Sequence, residues 1–81
     1  MSTAQKINNN PFELVNGVMS LHIAEGETTL SAEVTPIRTA DGIIYFAETS
    51  VNGETKSAGY FRTVRIAKDA ARAHLYKRLK G

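Results

Sequence analysis

Apolar residues in the last part of the chain recur at helical spacing. They are separated by three or four residues: Val64, Ala67, Ala71, Leu75 and Leu79. At about 100° per residue this spacing puts them on one side of a helix, which must then be buried. The pattern predicts a helix over residues 63–79, with Thr63 as its N-cap.

Upstream of this helix the periodicity changes to two. Four runs alternate apolar and polar residues or are rich in β-formers, and are predicted to be strands: residues 18–24, 28–37, 43–51 and 54–61. Asn52 and Gly53 form a type I′ turn signal between the last two runs. Pro36 cannot donate to a ladder, so the end of its strand is expected at an edge or a bulge, and Gly59 also indicates a bulge.

Residues 11–16 permit two interpretations. Asn10 could cap a short helix with Pro11 in its first position. Alternatively, Asn16 and Gly17 form a type I′ turn between a short strand and residues 18–24. The period-2 pattern after Gly17 favours a strand for residues 18–24, and leaves 11–16 as either a helical turn or a short strand.

These elements together predict one small α+β domain over residues 10–81. It consists of an antiparallel sheet of three to four strands with the C-terminal helix packed on one face, and residues 11–16 supply a possible short N-terminal helix. The polar residues 1–9 are expected to be a disordered lead. With 81 residues, the chain can bury only a small core.

Composition narrows the classes of protein further. The chain has no cysteine, which excludes disulfides and thiolate chemistry, and no apolar run suggests a signal peptide or a membrane helix. We therefore expect a cytoplasmic protein without a membrane partner.

Few residues offer catalytic chemistry. The only histidines are His22 and His74, no nucleophile or metal-ligand spacing is present, and no glycine-rich phosphate loop occurs. We therefore expect a protein that is not an enzyme and has no cofactor or metal. His74 lies beside the apolar side of the helix, where a partly buried, hydrogen-bonded histidine is expected.

Charge is divided unevenly along the chain. Residues 60–81 carry seven basic side chains and one acidic one, whereas residues 1–59 carry three basic and seven acidic side chains. Such a split can mark a polyanion-binding face. Alternatively, the helix is simply solvated and Asp69 pairs with Arg65 and Arg72.

The helix also resembles a known family. Residues 65–73, with Lys68, Ala70 and Ala71 followed by two leucines, resemble the last helix of double-stranded RNA-binding domains. Asn52, Gly53 and Gly59 resemble that family's last hairpin, and residues 10–16 loosely resemble its first helix. The resemblance implies a helix–three-strand–helix fold that recognises A-form RNA through phosphate and 2′-hydroxyl contacts.

In that family three basic positions bridge phosphates across the major groove. The resemblance places Arg65 and Lys68 at two of them and Val64 at the third, and residues 39–42 replace the family's Gly-Pro-x-His loop.

Two functions follow as expectations. The first is a small binding module that contacts double-stranded RNA or another polyanion through the helix. Its site would consist of these cations: Arg62, Arg65, Lys68, Arg72 and Lys77. The second is a protein-binding modulator, of the kind carried by phages and other mobile elements, that acts on a larger host machine.

Overall fold

In the computed structural model, which describes residues 3–80, the fold consists of two helices and a five-stranded sheet. The elements in chain order are α1 (Thr3–Asn9), β1 (Glu13–Val15), β2 (Val18–Glu25), β3 (Thr28–Thr39), β4 (Gly42–Val51), β5 (Glu54–Phe61) and α2 (Val64–Lys80). All neighbouring strands are antiparallel, in the order β1-β2-β3-β4-β5. The predicted α+β class is confirmed, with one more strand than expected.

The additional strand comes from the segment with two interpretations. Val15 pairs with Val18, and the residues between them have positive φ, 52° at Asn16 and 81° at Gly17. Asn52 and Gly53 have the same combination, 51° and 87°. Positive φ at both central residues is the type I′ geometry, which suits the right-handed twist of a hairpin. The strand interpretation of residues 13–15 is therefore correct.

The expectation of a disordered N-terminal lead is wrong for the residues that the structure describes. Thr3–Asn9 forms α1, and Ile7 is completely buried in the core. Glu25 holds the start of the helix, since its carboxylate accepts a hydrogen bond from the Thr3 hydroxyl at 2.9 Å and lies 3.6 Å from Nζ of Lys6. The domain thus begins at or before Thr3, while residues 1, 2 and 81 lie outside the described part.

Two irregularities in the sheet occur where the sequence predicted them, at Pro36 and Gly59. Pairing of β2 with β3 ends at Met19 and Val34, so Pro36 lies where β3 has only β4 beside it. The β4–β5 register shifts between Ala47 and Glu48, opposite Gly59. The missing amide of Pro36 therefore faces an edge, and the extra residue of β5 forms the predicted bulge.

Both helices pack on one face of the sheet, where the core lies. α2 contributes Ala67, Ala71 and Leu75, all completely buried. Leu79, also predicted to be buried, is 37% exposed. It follows Ala71 by eight residues, about 80° around the helix, and so leaves the buried side.

The other face of the sheet, called the open face below, is covered by no element in residues 3–80. Two pairs of adjacent aromatic residues in the strands divide between the two faces, because successive side chains of a strand alternate. Tyr45 and Phe61 pack against the core. Phe46 and Tyr60 lie on the open face with their ring centroids 4.9 Å apart.

Candidate polyanion-binding surface on helix α2

The N-terminal end of α2 is fixed by a side-chain cap. The Thr63 hydroxyl accepts a hydrogen bond from the Ile66 amide at 3.1 Å, and the Thr63 carbonyl accepts one from the Ala67 amide at 3.0 Å. The predicted N-cap is confirmed. No acidic residue occupies the first turn, so the positive end of the helix dipole is not compensated there.

Arg62 and Arg65 flank this end of the helix. Both are exposed, and neither side chain forms an ion pair or a hydrogen bond with any residue in 3–80. Their positive charges add to the uncompensated dipole. This end of α2 is therefore a region of available positive charge.

Lys68 and Arg72 have a different environment. The Arg72 guanidinium donates a hydrogen bond to the Asn10 carbonyl at 3.0 Å, and its carbon lies 4.9 Å from the centre of the Phe12 ring. Nζ of Lys68 lies 5.8 Å from the same ring. Both side chains are half-buried. Arg72, one of the predicted site residues, is thus not freely exposed, because it attaches the segment before β1 to α2.

Lys77 lies on the opposite flank of the helix. It follows Arg72 by five residues, about 140° around the axis, and faces β5 instead of α1. Lys77 borders a cleft of about 530 Å³ between α2 and the β4–β5 turn. The residues lining this cleft include Glu54, Lys56, His74, Lys77 and Arg78. The five predicted site residues therefore do not form one continuous surface.

Arg78 is a structural residue that the sequence analysis missed. Its guanidinium donates to the Thr49 carbonyl at 2.9 Å, to the Thr49 hydroxyl at 3.1 Å and to the Glu54 carbonyl at 2.8 Å. Its side chain is only 12% exposed. The helical spacing in the sequence could have identified it. Arg78 follows Leu75 by three residues and Ala71 by seven, and so lies on the buried side of the helix.

His74 is partly buried and hydrogen-bonded, as predicted. Its Nδ1 lies 2.7 Å from the hydroxyl oxygen of Thr49, which is itself buried. Since Arg78 donates to that hydroxyl, the hydroxyl hydrogen can be donated to Nδ1 only when this nitrogen carries no proton. Burial lowers the pKa of His74 from its usual value, and the positive charges of Arg78, Lys56 and Lys77 lower it further.

Asp69 does not neutralise the exposed side of α2. It is exposed and forms no ion pair with Arg65, Arg72 or any other residue in 3–80. The interpretation of the helix charges as an internally paired set is therefore not supported by the contacts.

Residues 3–80 lack two kinds of feature. No group of three or more histidine or acidic side chains is arranged to hold a metal ion. Neither α1 nor α2 has the length and apolar character that crossing a membrane requires.

The observed fold differs from the helix–three-strand–helix fold that the family resemblance implies. Residues 10–16, which resembled a first helix, form an irregular segment, β1 and part of a turn, and the sheet has five strands instead of three. Val64 is half-buried against the core. Comparison of the chain with protein-family models, with curated proteins and with solved structures finds no match.

Proposed function

We propose that this protein is a small binding module for a nucleic acid, which it contacts through the phosphate backbone with the exposed cations of α2. The observation that carries the proposal is the presence of unpaired cations at both ends of this helix. Arg62 and Arg65 stand at its start, and Lys77 stands near its end. Arg65 and Lys77 are twelve residues apart, about 18 Å along the helix axis.

A further cation at the C-terminal end of α2 supports a backbone ligand. Lys80 is exposed beside the Tyr76 ring, with Nζ 4.7 Å from the ring centre, and adds a cation to the C-terminal end. A polymer with regularly spaced phosphates can engage both ends at once, whereas a small anion would engage one. Two separated cation groups therefore favour a polyanion.

Double-stranded RNA is the nucleic acid that we propose. The support is the resemblance of β5 and α2 to the end of a double-stranded RNA-binding domain, including Arg65 and Lys68 at two phosphate-contacting positions. Modules of that kind bind by A-form shape and backbone contacts, with little sequence preference.

Fluorescence anisotropy with labelled duplexes of about 16 base pairs tests the proposal, with RNA and DNA of the same sequence compared. We expect tighter binding to RNA and a steep fall in affinity between about 50 and 200 mM salt. The double variant Arg62→Ala/Arg65→Ala should weaken binding uniformly across sequences and reduce the salt slope by about 1 for each lost phosphate contact.

A matched variant controls for net charge. Thr29→Glu/Thr55→Glu lowers the net charge by the same two units, but on exposed positions of the open face. It should bind nearly as the original protein does. Equal losses in both double variants would reveal a general charge effect, and no binding to either duplex at low salt would refute the proposal.

A further inference from the structure

The open face of the sheet carries its side chains in rows that cross the strands. The strand register aligns one residue from each strand in such a row, since directly opposite residues share a face. One row consists of Glu13, Ser20, Glu33, Glu48 and Ser57. We call it the carboxylate row.

Two carboxylates of this row oppose each other directly. Glu33 pairs with Glu48 across β3 and β4, and opposite residues have Cβ atoms about 4.5–5.5 Å apart. Both are half-buried, and neither forms an ion pair within residues 3–80. Like charges in this position destabilise a sheet, so the molecule by itself gains nothing from the arrangement.

The next row is mainly apolar. Two residues further along β1 to β4, about 6.6 Å away, lie Val15, Val18, Thr35 and Phe46, and the bulge in β5 places Tyr60 opposite Phe46. Ile37 and Ile44 pair immediately beyond it. Tyr60 is 62% exposed and Val15 is 51% exposed. The open face therefore combines an uncovered apolar strip, called the apolar row, with unpaired negative charge.

The chemistry of this face disfavours a nucleic acid. Phe46 and Tyr60 could stack on bases, but no described strand position on the open face carries lysine or arginine, and the adjacent carboxylates repel phosphates. A binder of single strands needs cations beside its aromatic rings.

A symmetric pair of open faces is also disfavoured. If a two-fold axis stacks the apolar rows of two copies, the carboxylate row meets either its own equivalent or the pair Ile37 and Ile44. In both arrangements Glu33 and Glu48 become more buried without gaining a positive partner. A second copy of the chain therefore does not complete this face.

We infer that the open face binds another protein, through a segment that presents apolar side chains next to lysine or arginine. The apolar side chains would cover the apolar row, and the cations would lie over Glu33 and Glu48. Charge complementarity of this kind gives specificity and speeds association. The site is separate from the α2 surface, so the protein could hold a nucleic acid and a protein on opposite sides.

The test uses the full chain, labelled with ¹⁵N, and two synthetic helical peptides of about 15 residues, long enough to cross five strands. One peptide has a leucine stripe flanked by lysines, and the other has glutamates in place of the lysines. We expect the lysine peptide to shift amide resonances of β3 and β4, and the glutamate peptide to shift none.

Substitutions on the open face test which residues contact the lysine peptide. Glu33→Gln/Glu48→Gln and, separately, Tyr60→Ser should each raise the Kd for the lysine peptide by about tenfold. The matched control Glu27→Gln/Asp69→Asn also removes two carboxylates, from exposed positions outside the open face, and should leave the Kd unchanged. Well-dispersed spectra of every variant establish that each remains folded.

Several results would overturn the inference. These are equal binding of both peptides, shifts confined to α2, no shifts at millimolar peptide, and equal losses in the control variant. Concentration-dependent self-association that broadens the open-face resonances would also overturn it, since the occupant would then be a second copy.

Discussion

Charged side chains on the two faces of this sheet differ in the contacts that they make. On the helix side, Arg72 and Arg78 are partly buried and donate hydrogen bonds to main-chain carbonyls. On the open side, Glu33 and Glu48 face each other without a positive partner among the described residues. The density of charge in the sequence is thus a poor indicator of a binding site. The contacts that each charge makes within the fold are a better one.

The strongest test of the helix side is the loss of a core leucine. Leu75→Ala should lower the free energy of unfolding by about 2–4 kcal/mol, because it leaves a cavity where α2 meets the sheet. Urea denaturation monitored by circular dichroism measures the change. Leu79→Ala, at a position 37% exposed, should cost less than half as much. Equal costs would mean that Leu79 belongs to the core.

Removing Arg78 tests whether a cation on the helix side acts as a structural group. Arg78→Met deletes the hydrogen bonds to Thr49 and Glu54 and should lower the free energy of unfolding by about 1.5–3 kcal/mol. Lys77→Met, one position earlier and exposed, should change it by less than about 0.5 kcal/mol. If both variants behaved alike, the contrast between structural and available cations would disappear.

On the open face we expect a substitution to stabilise the protein. Glu48→Gln removes the repulsion from Glu33 and should raise the free energy of unfolding by about 0.2–1 kcal/mol, an effect that added salt reduces. Glu27→Gln, in the β2–β3 turn, serves as the control without an opposing carboxylate. A loss of stability in Glu48→Gln would show that Glu48 has a favourable role within the fold.

The pH dependence at His74 should be the smallest of these effects. Its pKa is lowered in the folded state, so between that pKa and the usual value of 6.5 the unfolded chain binds more protons. The contribution of His74 to stability is therefore fully present above pH 6.5 and is lost as the pH falls through the folded-state pKa of His74. An NMR titration of the His74 ring measures this pKa. Lys56→Ala/Lys77→Ala should raise it, because two of the cations that oppose protonation are removed.

Local chemistry explains which parts of the fold the sequence could predict. Type I′ turns at Asn16 and Asn52, strand alternation and the Thr63 cap each depend on a few adjacent residues, and all are observed. The helix α1 was missed because seven residues are too few to form a stable helix alone, and its only buried apolar residue is Ile7. Tertiary contacts decide the state of that segment.

The candidate site was predicted only in part for a related reason. Helical spacing correctly identified Arg65 as exposed, but it could not show that Phe12 and Asn10 would occupy the flank containing Lys68 and Arg72. That flank is covered by a segment about 60 residues away along the chain. A periodic pattern describes the sides of one helix and carries no information on which neighbour each side meets.

The order of the strands also has a kinetic consequence. Each strand pairs with its neighbours in the chain, and all four connections between strands are two residues long, so the sheet can form by successive short loop closures. Such topologies fold rapidly, whereas the contact of Arg72 with Asn10 joins residues 62 positions apart. We expect Ile7→Val to accelerate unfolding and leave the folding rate unchanged in stopped-flow measurements. The N-terminal helix would then dock last, onto a sheet and a C-terminal helix that have already assembled.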